Sequence, residues 1–409
     1  MTEHRDVVIF CGQDWWYHNR AHSDFQLMTR AGKHRRVLLV NSIGMRMPMP
    51  GRSPLPFRRI YRKLKSMMRH VRKPLPDAPE FTVMTPVLLP LYGSEKARAF
   101  NARNIRRQVE RVMRKQGIVD PHIVVTVPTA WDVAKDMKRT TLTYNRSDNH
   151  AAFVEADQGM IRGLEDQLMT HSDAVLYSSR SFLESERDRC KAPAVFLDHG
   201  VDSEHFAERP RTGALSGYDV KRPVIGFFGG LDDYIIDFDL LERIAVERPD
   251  YSLVLIGDAT LPMERLTRHP NVRHLGFRPY SEIPNLGADF DVSIMPWLDN
   301  EWIRCCNPIK LKEYLSLGQE IVTTWFPEAE HYTDFLHIGR TGDEFLQRID
   351  EVVQGAKSPG DRAALLGKAT WDDRTIELLD CLDGLAGSSL RVIPEPVEPL
   401  RVEEPVRTT

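Results

Sequence analysis

The chain has 409 residues, an apolar content of 42% and a formal net charge of −3. The length allows two domains, each with its own core, and the apolar content favours globular folding over most of the chain. The slightly acidic charge, without an aromatic RNA-binding motif or a helix-turn-helix pattern, argues against nucleic acid as a partner.

Cysteine usage and apolar run length bear on the compartment. The five cysteines are odd in number and form no C-x-x-C pair, so free thiols in a reducing compartment are expected rather than disulfides or a zinc site. The sequence shows no secretory signal and no apolar span of about 18 residues. We therefore expect a cytoplasmic location, with any membrane contact peripheral.

The first elements predict a parallel sheet. Apolar runs at residues 6–11 and 37–41 flank a helical segment, which is a βαβ pattern. The loop after the first run falls at the carboxyl edge of the sheet, where α/β proteins bind ligands. This loop holds Asp14 and three candidates for stacking on an acceptor sugar, Trp15, Trp16 and His18. Core packing of the tryptophans is the alternative.

Residues 45–90 are rich in Pro, Arg and Met and are expected to form a long insertion in the first domain. Eight Lys and Arg residues alternate with apolar ones between Arg58 and Lys73. That pattern is typical of a surface helix on anionic lipid headgroups, and a solvated helix with a core-facing stripe is the alternative. For a second basic stretch, Lys96 to Lys115, the solvated helix is favoured.

Further strand patterns at residues 123–127 and 141–144 continue the first sheet. The second of these runs into a polar cluster, residues 145–150, that includes Asp148 and His150. Because the cluster follows a strand, it falls at the same ligand edge as Asp14.

The second half opens with a buried strand at residues 224–228, followed by Gly229 and Gly230. Glycines at a strand's carboxyl end let the backbone approach a diphosphate without a Cβ in the way. Strand patterns recur at residues 253–257, 272–275 and 292–295.

The stretch from Asn307 to Thr324 predicts a helix, a turn and a strand. Asn307 is the expected N-cap, Pro308 suits the first helical position, and Gly318 ends the helix. Lys310 and Glu313, three apart, share one face. An ammonium beside first-turn amides suits a phosphate, and the carboxylate could accept from two ribose hydroxyls. A surface salt bridge is the alternative.

This stretch resembles the donor-site helix of GT-B glycosyltransferases, of family 4 and of the bacterial exopolysaccharide glucuronosyltransferases. The residues that match the common pattern are Pro308, Lys310, Leu311, Glu313, Tyr314, Gly318 and Val322. The resemblance implies an α/β fold with two Rossmann-like parallel-sheet domains facing a cleft. The expected divisions are an acceptor-binding domain (1–206), a linker (207–222), a nucleotide-sugar-binding domain (223–370), a helix returning to the first domain (371–386) and a disordered tail (387–409).

The resemblance also implies roles for individual residues. Lys310 and the Asn307 helix terminus would bind the diphosphate, Glu313 the ribose, and the segment after Gly276 the base. The candidates on the donor side are Lys310, Glu313, Asn307, Gly230, Phe277, Arg278 and Arg304. In the plain alternative, Phe277 is core and Arg278 is solvated.

On the acceptor side, Asp148 resembles in position the base of the inverting glucuronosyltransferases, with Asp14 as second candidate and His150 as an orienting partner. A turn-capping role for Asp148, paired with Arg146, is the alternative. Direct displacement with Asp148 as base would invert the anomeric centre, whereas family 4 kinship implies retention. Family 4 has a Glu at the position of Cys305.

The expected function is transfer of a sugar from a nucleotide diphosphate sugar, expected to be uridine-linked, to a lipid-linked or polysaccharide acceptor in envelope or exopolysaccharide synthesis. No Asp-x-Asp stands at a strand end, so neither a metal nor a cofactor besides the donor is expected. A GT-B sugar-nucleotide 2-epimerase and a non-catalytic nucleotide-sugar-binding scaffold are the alternatives. Cys305 and the acidic Asp232-Asp233 loop motivate the scaffold.

Overall fold

The computed structural model describes residues 4–17, 21–43, 61, 65–88, 95–152 and 157–386. These residues form two parallel-dominant sheets with helices packed on both faces. Because both faces of each sheet are covered, the strands are short, nearly continuous apolar runs. His18 and the tail 387–409 lie outside the described residues.

Within the described residues, the first sheet has eight strands in the order β3-β4-β2-β1-β5-β6-β7-β8, and only β3 runs antiparallel to its neighbour. Its strands are β1 (Val7–Phe10), β2 (Val37–Val40), β3 (Val71–Arg72), β4 (Phe81–Met84), β5 (His122–Val125), β6 (Thr141–Arg146), β7 (Ala174–Tyr177) and β8 (Ala194–Phe196). Its helices are α1 (Ser23–Ala31), α2 (Glu95–Gln116), α3 (Trp131–Ala134), α4 (Gln158–His171) and α5 (Arg180–Glu186).

The second sheet has six parallel strands in the order β11-β10-β9-β12-β13-β14. They are β9 (Val224–Phe228), β10 (Ser252–Ile256), β11 (Val272–His274), β12 (Val292–Met295), β13 (Ile321–Thr324) and β14 (Leu336–Gly339). The helices are α6 (Phe238–Glu247), α7 (Glu264–Thr267), α8 (Ile283–Gly287), α9 (Ile309–Ser316), α10 (Gly342–Val353) and α11 (Arg362–Leu366). The chain order reverses between β9 and β12, which opens a ligand crevice at their carboxyl ends.

The last helix, α12 (Trp371–Ala386), leaves the second sheet and packs on the first. Trp371, Leu378 and Leu382 are buried in the same apolar cluster as Phe25 of α1. A Cβ on Gly200 would lie 2.7 Å from the backbone nitrogen of Trp371, so only glycine fits where the two segments cross. The two halves are therefore joined by the linker and by this returning helix.

The prediction that residues 45–90 form an insertion is wrong for the last part of this region. Its last part supplies β3 and β4, and Phe81 of β4 pairs with Val37 of β2 in the sheet. The proposed lipid-facing segment, Arg58 to Lys73, lies partly outside the described residues and stays a prediction. The second basic stretch forms α2, which buries Ile105 and Val109, as the core-facing alternative predicts.

The predicted N-cap role of Asn307 is wrong. Helix α9 begins at Ile309 with Pro308 as its N-cap, and the helix ends where Gly318 adopts a φ of +76°. The Asn307 amide instead donates to the Ser178 carbonyl at 2.7 Å and to Asp198 Oδ1 at 2.9 Å, both in the first half. Asn307 therefore ties the start of this helix to the opposite side of the cleft.

A buried ion pair strengthens the same junction. Lys312 Nζ, nearly fully buried, donates to Asp198 Oδ1 at 2.5 Å and to the His199 carbonyl at 2.7 Å. Burial alone would raise the pKa of Asp198, but the charge and hydrogen bond of Lys312 hold it below its usual value. Nearby, the buried Glu328 accepts a hydrogen bond from Ser179 Oγ at 2.7 Å. These contacts fix how the two halves meet on this side.

We expect Lys312→Ala to lower the free energy of unfolding by about 3–5 kcal/mol, because it leaves the buried Asp198 carboxylate without its cation. Chemical denaturation of both proteins measures the difference. The control is Arg348→Ala, which removes a surface ion pair with Glu351 (2.6 Å) and should cost about 1 kcal/mol or less. Equal losses in the two variants would show that the buried pair contributes no more than a surface one.

Candidate functional site

The crevice of the second sheet is shaped by two glycines in left-handed conformations. Gly229, directly after β9, has a φ of +141°, and a Cβ there would lie 2.1 Å from Lys310 Cε. Gly257, after β10, has a φ of +145°, and its Cβ would lie 1.8 Å from the Gly229 carbonyl oxygen. The predicted Gly230 is exposed and does not make this approach. Gly229, rather than Gly230, therefore gives Lys310 its space.

Lys310 reaches the crevice from the first turn of α9. Its ammonium lies 5.7 Å from the ring centroids of both Phe227 and Trp297. Burial lowers the pKa of Lys310, and the charges of Glu313 and Asp232 oppose that shift. Within the described part of the chain the ammonium has neither a hydrogen bond nor an ion pair. A cation in this state can accept an anionic ligand without first breaking a contact.

Glu313 lies one turn further along α9 and is only 7% exposed. Burial raises its pKa to about 7; the charge of Lys310 opposes this rise and that of Asp202 adds to it. The surface salt-bridge alternative is wrong, because Glu313 is buried and is not in ion-pair contact with Lys310 in the described structure. Nearby, burial and then the charge of Glu313 raise the pKa of Tyr280. The carboxyl is thus held in the cleft, and its oxygens accept no hydrogen bond from the described residues.

The segment expected to contact the base follows β11. Gly276 has a φ of +66°, and Phe277 after it is 59% exposed, so the core alternative for Phe277 is wrong. Arg278 donates through Nη2 to the Tyr218 hydroxyl at 2.9 Å and is therefore not simply solvated. An exposed aromatic ring beside a left-handed glycine is sterically free to meet a planar ligand.

Arg304, another donor-side candidate, is engaged elsewhere. Its exposed side chain forms a two-point ion pair with Asp299, with distances of 2.7 and 2.9 Å. The structure thus brings Lys310, Glu313 and Gly229 together and leaves Arg304 in its own loop.

Two carboxyl groups approach one another on the opposite wall. Burial raises the pKa of Asp148, while the Ser147 hydroxyl and the Arg146 charge oppose the rise. Asp24, in the first turn of α1, accepts from Asn145 Nδ2 at 3.2 Å. Burial raises the pKa of Asp24 to about 6, with a further contribution from the charge of Asp148.

Asp24 is missing from the sequence-based candidates. The available signal was its position directly after the loop at the ligand edge. Burial and then the charge of Asp232 raise the pKa of Tyr234, and the charge of Asp148 adds to this rise. Burial also raises the pKa of Cys306, again with a contribution from the charge of Asp148. Both of those residues belong to the second half, so Asp148 faces across the cleft towards the wall that carries Lys310.

The acceptor-side prediction for Trp15 is wrong. Its side chain is 4% exposed and packs against Phe25 and Phe81, with ring centroids 5.0 and 5.1 Å away. Trp16 is half-buried, and its indole N–H donates to Thr85 Oγ1 at 3.1 Å. Packing and hydrogen bonding therefore account for both tryptophans.

Asp14 orders the loop that holds these tryptophans. One oxygen, Oδ1, accepts from the Trp16 amide at 3.0 Å, from Asn41 Nδ2 at 3.1 Å and from Ser66 Oγ at 3.3 Å. These three hydrogen bonds give Oδ1 of Asp14 a role in the structure of its own loop.

His150 is not arranged to orient the Asp148 carboxyl. Its ring nitrogen Nδ1 lies 4.0 Å from Glu165 Oε1, and only its backbone N–H contacts Asp148, at the carbonyl oxygen. Burial, followed by the charge of Arg146, lowers the pKa of His150 to about 3. Arg146 itself is buried and pairs with Glu165, at 2.7 Å, and with Glu186. The alternative in which Arg146 pairs with Asp148 is therefore wrong.

No protein-family model matches the chain. In sequence, the chain is 27% identical over 220 residues to TuaH of Bacillus subtilis (strain 168), named as a candidate teichuronic acid biosynthesis glycosyltransferase. The match covers 46% of this chain and 54% of TuaH, so the chain spans about half the length of that curated relative.

Solved structures match over almost the whole chain. Sucrose-phosphate synthase from Thermosynechococcus elongatus has a TM-score of 0.70 at 13% identity, covering 94% of this chain and 100% of that one. HepE of Anabaena, in complex with UDP and glucose, has a TM-score of 0.62 at 14% identity, covering 93% and 99%. A trehalose 6-phosphate synthase from Burkholderia multivorans has a TM-score of 0.63 at 11% identity, covering 95% and 100%.

These likenesses show the GT-B fold, and the predicted fold class is confirmed. The similarity to glycosyltransferases, first indicated by the donor-helix motif, is confirmed by TuaH in sequence and by the solved structures in fold.

Glu313 generates a prediction about stability and pH. Its folded pKa, about 7, exceeds the ordinary value of 4.5, so the folded state binds this proton more tightly than the unfolded state. The contribution of Glu313 to the free energy of unfolding should therefore decrease as the pH rises from about 4.5 to about 7, by at most about 3 kcal/mol. We expect this pH-dependent decrease to be absent in Glu313→Gln, and chemical denaturation at pH 5 and pH 8 measures it.

The control is Glu264→Gln, which changes an exposed carboxyl and should keep the wild-type pH dependence. Parallel pH profiles for wild type and Glu313→Gln would contradict a raised pKa at Glu313.

Proposed function

We propose that the chain is a GT-B glycosyltransferase that moves a sugar from a uridine diphosphate sugar to a saccharide or lipid-linked acceptor. The observation that carries the proposal is the Lys310 ammonium, which lies over Gly229 without an ion-pair partner among the described residues. An anionic ligand would supply the missing partner, and the absence of a Cβ at Gly229 leaves the lysine its space. HepE, in complex with UDP and glucose, supports the uridine-linked donor.

In this proposal the donor binds along α9. The diphosphate contacts Lys310 and the amides of the first turn, where the helix dipole also favours negative charge. Glu313 accepts hydrogen bonds from the ribose hydroxyls, and Phe277 contacts the base. As the glycosidic bond breaks, negative charge grows on the leaving diphosphate, and Lys310 stabilises it. Because a cation is already supplied by the chain, we propose that the transfer needs no metal.

The acceptor hydroxyl is activated from the opposite wall. Asp148 takes the hydroxyl proton while the oxygen attacks the anomeric carbon, and direct displacement inverts that carbon. A base that works near neutral pH needs a raised pKa, and burial raises the pKa of Asp148. The charge of Asp148 in turn contributes to the raised pKa of Asp24, after the larger effect of burial.

The name of TuaH supports a cell-envelope polysaccharide as the acceptor class. Within the described residues, no helix combines the length and apolar character needed to cross a bilayer. We propose peripheral contact with an anionic membrane face on the cytoplasmic side. Exposed apolar side chains beside cations support this contact: Tyr61 is 66% exposed and Met68 is 75% exposed, next to Lys65 and Arg69.

Two adjacent glycines test the donor site. We expect Gly229→Ala to weaken UDP binding by at least about tenfold, because the new methyl group collides with Lys310 in a left-handed backbone. Gly230→Ala is the matched control and should bind UDP like the wild type. Calorimetric titration with UDP measures both. Equal affinities in the two variants, or no UDP binding to the wild type, would refute the donor-site assignment.

Asp148→Asn tests the acceptor side. We expect transfer to a saccharide acceptor to fall roughly 10²–10⁴-fold, because an amide cannot take the proton, while UDP affinity stays unchanged. The control is Asp188→Asn, an exposed acid on the same half. Chromatographic analysis of the glycoside product measures the transfer. An epimerised nucleotide sugar would identify the epimerase instead, and UDP binding without any product would identify the scaffold.

A further inference from the structure

A second cavity lies outside the cleft, between the C-terminal half of α2 and β3. Its volume is about 370 Å³, within the range of roughly 300–1,000 Å³ that holds small-molecule ligands. Four basic side chains line it: His70, Arg72, Arg111 and Lys115. None of its lining residues is acidic, and none belongs to the donor or acceptor walls.

Three cations of this cavity lack anionic partners in the described part of the chain. Neither Arg72, Arg111 nor Lys115 forms an ion pair with the residues that the structure describes, and Arg72 contacts only the neighbouring Val71 carbonyl. Two other arginines of the same helix behave differently. Arg98 lies 3.6 Å from Asp132, and Arg106 lies 2.8 Å from Asp136. Unlike these two arginines, the cavity's cations are thus not neutralised by a carboxylate of the described residues.

The walls of the cavity are held by hydrogen bonds. Gln108 accepts from the Val87 amide at 2.9 Å and donates to the Val87 carbonyl at 2.7 Å. Gln116 donates to Thr82 Oγ1 at 2.9 Å, which ties the end of α2 to β4. His70 donates through Nδ1 to the Thr85 carbonyl at 3.2 Å. The basic groups therefore stand on elements that are fixed relative to one another.

The lining also has an apolar part. Val112 belongs to the core cluster of the first sheet, and Val71, which packs against that cluster, pairs with Met84 across β3 and β4. A bare phosphate would contact the cations but would leave much of the volume unfilled. A phosphorylated organic molecule would use both parts, with its charge at the basic side chains and its carbon skeleton against the valines.

We propose that this cavity is an anion-binding site, separate from the donor cleft, for the phosphate or diphosphate group of an organic ligand. Guanidinium groups at Arg72 and Arg111 suit phosphate oxygens, and Lys115 adds a further positive charge. The ligand is either a soluble phosphate ester or the headgroup of a membrane lipid, since both present the same chemistry.

The test uses inorganic pyrophosphate as probe and Lys310→Ala as background, so that binding at the cleft is removed. In this background we expect calorimetry to show one pyrophosphate per chain. Adding Arg111→Gln and Lys115→Gln should weaken that binding by at least about tenfold, because two charge-assisted contacts are lost. Both side chains are exposed, so the fold should survive, and circular dichroism checks this.

The matched control adds Arg106→Gln, which changes a paired arginine of the same helix outside the cavity. Its affinity should equal that of the background. No binding to Lys310→Ala, or equal weakening by the cavity and control changes, would overturn the proposal. UDP binding to the wild-type cleft is measured separately, so this proposal and that of the donor site can fail independently.

Vesicle sedimentation separates the two sources of ligand. Vesicles of phosphatidylcholine with phosphatidic acid are compared with pure phosphatidylcholine, with and without Arg111→Gln and Lys115→Gln. Binding that needs phosphatidic acid and both cations identifies the lipid headgroup. Pyrophosphate binding with no such vesicle binding identifies a soluble ester. Either result supports the anion site and states which molecules reach it.

Discussion

The candidate site depends on an ammonium group that is partly dehydrated and yet unpaired within the described structure. Burying a charge costs free energy unless other charges or dipoles compensate. Around Lys310 the compensation is incomplete, because it comes from the faces of Phe227 and Trp297 and from carboxyl groups that are not in contact with it. An anion in the cleft would complete it. The left-handed conformations of Gly229 and Gly257 are part of the same constraint. A side chain on Gly229 would occupy the space of the lysine, and one on Gly257 would collide with the Gly229 backbone.

Helix α9 carries two lysines with opposite roles. Residues two apart on a helix point in different directions, so Lys310 reaches the crevice while Lys312 reaches the other half of the chain. Lys312 is neutralised by Asp198 and is part of the junction. The same short helix therefore holds the two halves together and presents, between them, a cation that has no ion-pair partner among the described residues. A change in how the halves meet would move Lys310 directly, because the ion pair and the site share one rigid element.

Much of the fold could be predicted from the sequence because strands buried on both faces are continuous apolar runs. β3 and β4 were hidden, since one is two residues long and both follow a stretch rich in Pro and Arg. In the site, helical spacing and the motif brought Lys310 and Glu313 together. Sequence does not give φ, so it could not distinguish Gly229 from Gly230. Nor does it show which way a loop side chain points, as Trp15 illustrates, or that Lys312 pairs with a residue 114 positions away.

A second buried network supports the wall that carries Asp148. Arg146, at the end of β6, is fixed by Glu165 and Glu186, and these contacts hold the backbone that leads into Asp148. Because Arg146 pairs with these two glutamates, it forms no ion pair with Asp148 in the described structure. The net shift of the Asp148 pKa is therefore upward, caused by burial. The neighbouring His150 is kept neutral by burial and by Arg146. Carboxyl groups on one wall thus face the Lys310 ammonium on the other. In the proposed reaction, the sugar lies between these two walls, with the base on one side and the leaving diphosphate on the other.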